Sequence, residues 1–183
     1  MLLKSPTPSF GHILAKLALK SLTLNFKILF FVPILGFSQY VQPNEELIFS
    51  FETTKGKKMA IVKDKNNAYI QYRYGKKDKI ELVFPPIKNE ESWEFFNYNT
   101  LQKSLEGQAE NIEIENLSFQ HKQYEYLIYR TNFADEGKET TGIIVKKNGK
   151  GWRIDGRPTS IQGSLKQLQE TSKLQKKHIS LRF

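Results

Sequence analysis

Apolar and polar side chains alternate at every second position through much of this chain, and this pattern most constrains its fold. It is clearest in residues 67–84, NAYIQYRYGKKDKIELVF. Successive side chains of a β-strand point to opposite faces of the sheet, so a period of two indicates strands. The stretch predicts a hairpin around 75–79, with one face directed to the core: Ala68, Ile70, Tyr72, Tyr74, Ile80, Leu82 and Phe84.

These aromatic residues also allow a second interpretation, in which they form a surface that stacks on the bases of a nucleic acid. That interpretation requires the rings to be exposed beside a basic groove. The basic residues are elsewhere, however. Residues 1–38 carry four lysines and no acidic residue, residues 144–183 carry 10 basic and 2 acidic residues, and residues 39–143 carry 14 basic and 17 acidic residues. We therefore expect a core hairpin and no nucleic-acid partner.

The same alternation recurs along the chain between short polar connections. It predicts further strands within 45–53, 59–62, 111–119, 124–131, 140–147 and 152–155, while residues 92–98 fit either a strand or a short helix. Asn148-Gly149 is a strong hairpin signal because both residues tolerate a positive φ. About eight strands without intervening helices predict an all-β, antiparallel meander that closes as a small barrel or a sandwich.

The N-terminal segment has the pattern of a secretory signal peptide. Lys27 precedes a run of apolar residues over 28–37, which ends in small and polar residues. A buried N-terminal helix is the alternative, but Pro33 would interrupt it. The run is shorter than the roughly 20 residues that span a bilayer. We therefore expect residues 1–38 to be removed between Ser38 and Gln39, leaving a periplasmic or secreted protein without stable membrane insertion.

The rest of the chain divides into a β domain over 39–160 and a C-terminal part over 161–183. Ser164 is a candidate N-cap, and Leu165, Leu168 and Leu174 fall partly on one helical face. This pattern predicts a short amphipathic helix over 164–177, followed by a basic tail. An outer-membrane barrel is a further alternative, but it needs strands of about 9–11 residues with lipid-facing apolar bands.

The sequence lacks the residues that several kinds of chemistry require. There is no cysteine, so disulfides, thiolate metal sites and cysteine nucleophiles are excluded. The three histidines are far apart, and neither a phosphate-binding glycine loop nor a G-x-S-x-G elbow occurs. The acidic pairs at 90–91 and 135–136 lie in polar, loop-like stretches. We expect no cofactor, no metal and no enzymatic activity.

The residue types that dominate binding surfaces are Trp, Tyr and Arg. The predicted hairpin around Asn148 combines an aromatic residue with several cations, which suits an acidic partner: Lys146, Lys147, Lys150, Trp152 and Arg153. Secondary candidates are Tyr69, Arg73, Tyr124 and Tyr126. The alternatives are a solvated hairpin for the first group and the second face of a sandwich core for the other.

Two stretches carry a family resemblance. Residues 57–85, with the segment YRYGK, and residues 124–130, YEYLIYR, resemble an uncharacterised group of small secreted bacterial β proteins. The layout is also similar to the small periplasmic barrels that inhibit c-type lysozyme. The Ser-Gly-x-x-Tyr motif of those inhibitors is absent, so no residue role can be transferred.

Taken with the predicted export, these features suggest a monomeric, non-catalytic binding protein, inhibitor-like in layout. Its partner would be a protein or an acidic component of the envelope. The alternatives are a protein that binds or acts on envelope glycans, and a nucleic-acid-binding β domain.

Overall fold

Two antiparallel β-sheets form the architecture of the protein. A computed structural model describes residues 39–104 and 111–174. Sheet 1 has the strand order β10-β1-β2-β3-β4. Its strands are β1 (Glu45–Glu52), β2 (Lys58–Asp64), β3 (Ile70–Lys76), β4 (Lys79–Phe84) and β10 (Gln162–Gly163).

Sheet 2 has the strand order β5-β6-β7-β8-β9, in which every strand pairs with its neighbour in sequence. Its strands are β5 (Phe96–Ser104), β6 (Asn111–His121), β7 (Tyr124–Phe133), β8 (Lys138–Lys147) and β9 (Lys150–Asp155). A 3-10 helix, Glu90–Phe95, precedes β5, so residues 92–98 contain both a helical turn and the start of a strand. A bridge between Thr53 and Gly156 joins the two sheets at one corner.

The core lies between the inner faces of the two sheets. Phe119 of β6 is at its centre, with its ring centroid 4.9 Å from that of Tyr72 and 4.6 Å from that of Phe84, both in sheet 1. The mainly β, antiparallel prediction is confirmed, and Ile70, Tyr72 and Phe84 of the predicted hairpin face are buried in this core. Ile80 was placed on the wrong face, because the register shifts between Tyr74 and Gly75 and Ile80 packs on the opposite side of sheet 1. Within 39–104 and 111–174 the strands form two sheets of five, so the closed-barrel alternative is wrong.

A β-bulge in β1 changes the face on which its side chains lie. The register shifts between Leu47 and Phe49, so that Ile48 is an extra residue. Ile48 and Phe49 both contribute to the central core, whereas Leu47 packs on the opposite face of sheet 1. Strict alternation in the strand predicted within 45–53 would put Leu47 and Phe49 on one face, but the bulge separates them because it reverses the parity of the strand.

The outer face of sheet 1 is covered by residues 40–44, which we call the N-terminal strap. Tyr40 is fully buried against Ala60 and Val62, and its hydroxyl donates to the carbonyl of Lys76 at 2.9 Å. The side chain of Asn44 donates to Asp64 at 3.1 Å. The strap therefore turns what would be a solvent-facing sheet surface into a second, smaller core.

The predicted C-terminal helix is wrong in its described part. Residues 164–174 contain a 3-10 helix, Leu165–Leu168, followed by turns, and residues 175–177 lie outside the described residues. Ser164 does cap the turn by accepting from the Lys166 N–H, and all three leucines are buried. Beyond the 3-10 helix, the Thr171 hydroxyl accepts from the Lys173 N–H at 3.3 Å, a local bond of the kind that competes with helix formation.

Candidate functional site

Two hairpin turns lie side by side at one end of sheet 2. The first joins β6 to β7 through Lys122 and Gln123, and the second joins β8 to β9 through Asn148 and Gly149. Asn148 and Gly149 have φ values of 50° and 76°, which confirms the predicted turn. Lys122 also has a positive φ, 56°, a conformation that is uncommon for a residue other than glycine.

The strand register divides the predicted binding residues between the two faces of sheet 2. Trp152 pairs with Val145, which is buried in the core, and Lys147 pairs with Lys150. Since paired residues share a face, Trp152, Lys147 and Lys150 lie on the inner face. Lys146 and Arg153 alternate with them and lie on the outer face.

The inner-face group gains Tyr124 from the neighbouring hairpin. The ring centroids of Tyr124 and Trp152 are 6.0 Å apart in a T-shaped arrangement, and Lys147 Nζ lies 4.9 Å from the Tyr124 ring centroid. Trp152 is 46% exposed and lies on β9, an edge strand of sheet 2. We call Tyr124, Lys147, Lys150 and Trp152 the tip surface.

A pocket of about 290 Å³ separates the two hairpin turns, and we call it the hairpin notch. It joins the tip surface to the outer face of the sheet, since Tyr124 and Lys147 line it together with Lys146. Lys122 and Lys146 have no ion-pair partner in the described parts of the chain, and one carboxylate, Glu125, faces them. The full lining is Gln120, Lys122, Gln123, Tyr124, Glu125, Lys146, Lys147, Asn148 and Gly149.

A second pocket of the same volume lies beside β1 and β10. Two of its three charged residues compensate each other, because Arg157 Nη2 lies 2.6 Å from Glu52 Oε2, and the third, Lys58, has its Nζ 5.7 Å from the Tyr40 ring centroid. The Ser160 hydroxyl is also engaged, accepting from the Glu52 N–H at 2.8 Å. This pocket therefore presents fewer unpaired groups to a ligand than the hairpin notch does.

Three of the four secondary candidates are buried or half-buried in packing contacts within the fold. Tyr69 and Arg73 are 4% and 2% exposed under the N-terminal strap, and Tyr126 is half-buried and stacked on Phe119 with centroids 4.8 Å apart. Only Tyr124 joins the tip surface. The expectation that Tyr69 and Arg73 are accessible is wrong, because the strap covers the face on which they lie.

Arg73 forms a buried ion pair with Glu45. Its Nη1 and Nη2 lie 2.5 Å and 2.6 Å from the two carboxylate oxygens, and Nη1 also donates to the Tyr40 carbonyl at 2.8 Å. Burial alone would raise the pKa of Glu45, but the hydrogen bonds from Arg73 and from two further donors lower it to about 2. The pair fastens the strap to β3.

Glu115 is a buried carboxyl group that the alternation pattern did not single out. It is fully buried on the inner face of sheet 2, where burial raises its pKa although Arg130 Nη1 lies 3.4 Å away. The Ser164 hydroxyl, 3.5 Å from the second oxygen, belongs to the segment that covers it. A raised carboxyl pKa can mark a catalytic acid, but this group is closed off from solvent. The sequence did offer one signal for it: this acidic residue falls on the same alternation as the core-facing residues of β6.

The fold and the site together define the class of protein. It has two antiparallel sheets, and basic residues cluster at the two hairpin turns at one end of sheet 2. Among the described residues, no helix is long and apolar enough to cross a membrane, and no three acidic or histidine residues are placed to hold a metal ion. Comparison with protein-family models, curated proteins and solved structures finds no match.

Proposed function

We propose that the protein is exported and acts as a non-catalytic binding protein, with the tip surface and the hairpin notch as its contact site. The observation that carries this proposal is the exposed Trp152 beside Tyr124 and Lys147. An accessible aromatic residue among cations that have no ion-pair partner within residues 39–104 and 111–174 suits a partner with acidic groups. The periplasm or the extracellular medium is the proposed location.

Export gives the first prediction. Protein recovered from the envelope or medium of its native host should begin at Gln39, because the charged and apolar segments that precede it match a cleavable signal. The fold is consistent with this position, since Gln39 is exposed and Tyr40 is the first buried residue of the strap. Intact-mass measurement decides the point. A mass that includes Met1 contradicts export by cleavage at this site.

Binding gives the second prediction. The double variant Lys147→Glu, Trp152→Ala should be captured at least about tenfold less by immobilised host envelope material than the unchanged protein, because it reverses one charge and removes the aromatic contact. Both side chains are at the surface end of sheet 2, so the thermal unfolding midpoint should stay nearly constant.

The matched control is Lys138→Glu, Phe95→Ala. It makes the same two kinds of change at Lys138, at the opposite end of β8, and at Phe95, which is 45% exposed. Capture of this control should equal that of the unchanged protein. Equal capture of the tip variant would refute the assignment of the contact surface, and turnover of a glycan or ester by the purified protein would refute the non-catalytic function.

A further inference from the structure

We infer that the hairpin notch binds one carboxylated sugar residue of an acidic polysaccharide. This inference rests on the proposed function and names the chemistry of its partner. It follows from four properties of the notch: its concave shape, the balance of its charges, the amide side chains in its lining and the position of its aromatic neighbours.

The shape of this end of the protein favours a ligand that enters it. An inhibitor that inserts into an enzyme cleft needs a projecting loop, whereas both hairpins here end in two-residue turns that stop side by side. The concavity between them has a volume of about 290 Å³. A single ring with its substituents suits such a space better than a folded protein surface does.

The charges favour an anionic ligand. Lys122, Lys146 and Lys147 line the notch against the single carboxylate of Glu125, so three positive charges face one negative charge. This excess of positive charge attracts the carboxylate of a ligand. Glu125 can accept hydrogen bonds from hydroxyl groups of the same ligand, which an ionised carboxylate does readily.

The remaining lining favours a sugar over an acidic peptide. Gln120, Gln123 and Asn148 contribute side-chain amides, each of which both donates and accepts hydrogen bonds. A pyranose carries several hydroxyl groups that match such groups, whereas an acidic side chain carries only acceptors. The notch therefore has more complementary partners for the hydroxyl groups and the carboxylate of an acidic sugar ring than for an acidic side chain alone.

The aromatic residues extend the site beyond one ring. Tyr124 lines the notch, and Trp152 follows it on the inner face with a centroid distance of 6.0 Å. Trp152 offers a flat apolar surface with one N–H donor, so it can pack against the next residue of a polymer. A short oligosaccharide should consequently bind more tightly than the monosaccharide.

The test is isothermal titration of the purified protein with trigalacturonate at low ionic strength. Its methyl-esterified form is the control that keeps the shape but carries no charge. Hexaglutamate is the control that keeps the acidic groups but has no hydroxyl groups. We expect trigalacturonate to bind, and the ester to bind at least about tenfold more weakly because the charge-assisted contacts are lost. Lys147→Gln should cause a similar loss, whereas Lys138→Gln, which removes a lysine from the other end of β8, should have no effect.

Each other result has a defined meaning. The inference is overturned if the ester binds as tightly as trigalacturonate or if trigalacturonate does not bind. It is also overturned if the Lys147→Gln variant binds trigalacturonate as tightly as the unchanged protein does. Preference for hexaglutamate also overturns it, but leaves the proposed function in place with a protein as the acidic partner. If none of the three probes binds and the envelope material is not captured either, both the inference and the proposed function fail.

Discussion

The Arg73→Met variant is expected to lose about 3–5 kcal/mol of its free energy of unfolding, the usual effect of removing one partner from a buried ion pair. The guanidinium is 2% exposed and makes two hydrogen bonds to Glu45, one to Gln71 and one to the strap. Without it, the buried carboxylate keeps only Lys88 among the described residues, whose Nζ lies 3.5 Å away, as a charged partner, and the strap loses one of its bonds to β3. Urea denaturation followed by tryptophan fluorescence measures the change.

Two controls separate the buried pair from a general effect of losing an arginine. Arg153→Met removes an exposed arginine whose Nε lies 2.5 Å from Asp155, and should cost less than about 1 kcal/mol. The double variant Arg73→Met, Glu45→Leu should be more stable than Arg73→Met alone, because it leaves no unpaired charge. If the double variant is less stable than the single one, charge burial is not the cause.

The same pair has a pH dependence whose sign follows from Glu45. Its pKa is lowered from 4.5 to about 2 in the folded protein, so the folded state holds the charged form more strongly than the unfolded state does. The stabilisation is therefore complete above pH 4.5 and is lost as the pH falls towards 2. In the Arg73→Met variant, the fall in stability over this interval should be much smaller.

Phe119→Ala is expected to cost about 3–5 kcal/mol, as large-to-small changes of aromatic residues in a core do. Phe119 is 1% exposed, and its ring neighbours come from both sheets: Tyr72, Phe84, Phe96 and Tyr126. The substitution leaves a cavity at the contact between the sheets and removes four aromatic contacts at once. Thermal and urea unfolding both report the loss.

Phe95→Ala is the matched control for this position. Phe95 is 45% exposed, and its ring meets that of Phe84 with centroids 5.7 Å apart. Its loss should cost about 1 kcal/mol or less, as expected for a surface position. If the two variants are equally stable, Phe119 does not anchor the contact between the sheets.

The sequence was sufficient to predict those features that depend only on a local pattern of residues. Alternation placed Ile70 and Tyr72 in the core, and Asn148-Gly149 marked its turn correctly, because both signals depend on only a few neighbouring residues. The same parity could also have separated Lys147 and Trp152 from Lys146 and Arg153. A two-residue turn pairs the residues that flank it, and alternate residues on each strand then share a face.

The remaining features depend on contacts between residues that are distant in sequence. The burial of Arg73 requires the strap, which is 33 residues away at Tyr40. Tyr124 meets Trp152 only through the register of two hairpins in one sheet. The bulge at Ile48 and the short turn at Leu165–Leu168 reflect the fit of β1 and of the C-terminal segment to the core. None of these contacts has a periodic signature.

The order in which the strands pair also bears on how the chain assembles as it is synthesised. Most strands can pair as soon as the next strand emerges, but β1 receives its second neighbour only with β10, where Phe49 pairs with Gly163. Until then β1 presents an open edge, and an open edge is a template for intermolecular association. The two residues of β10 therefore close this edge only when nearly all of the strands have formed, and they protect the folded chain against aggregation, a role out of proportion to their length.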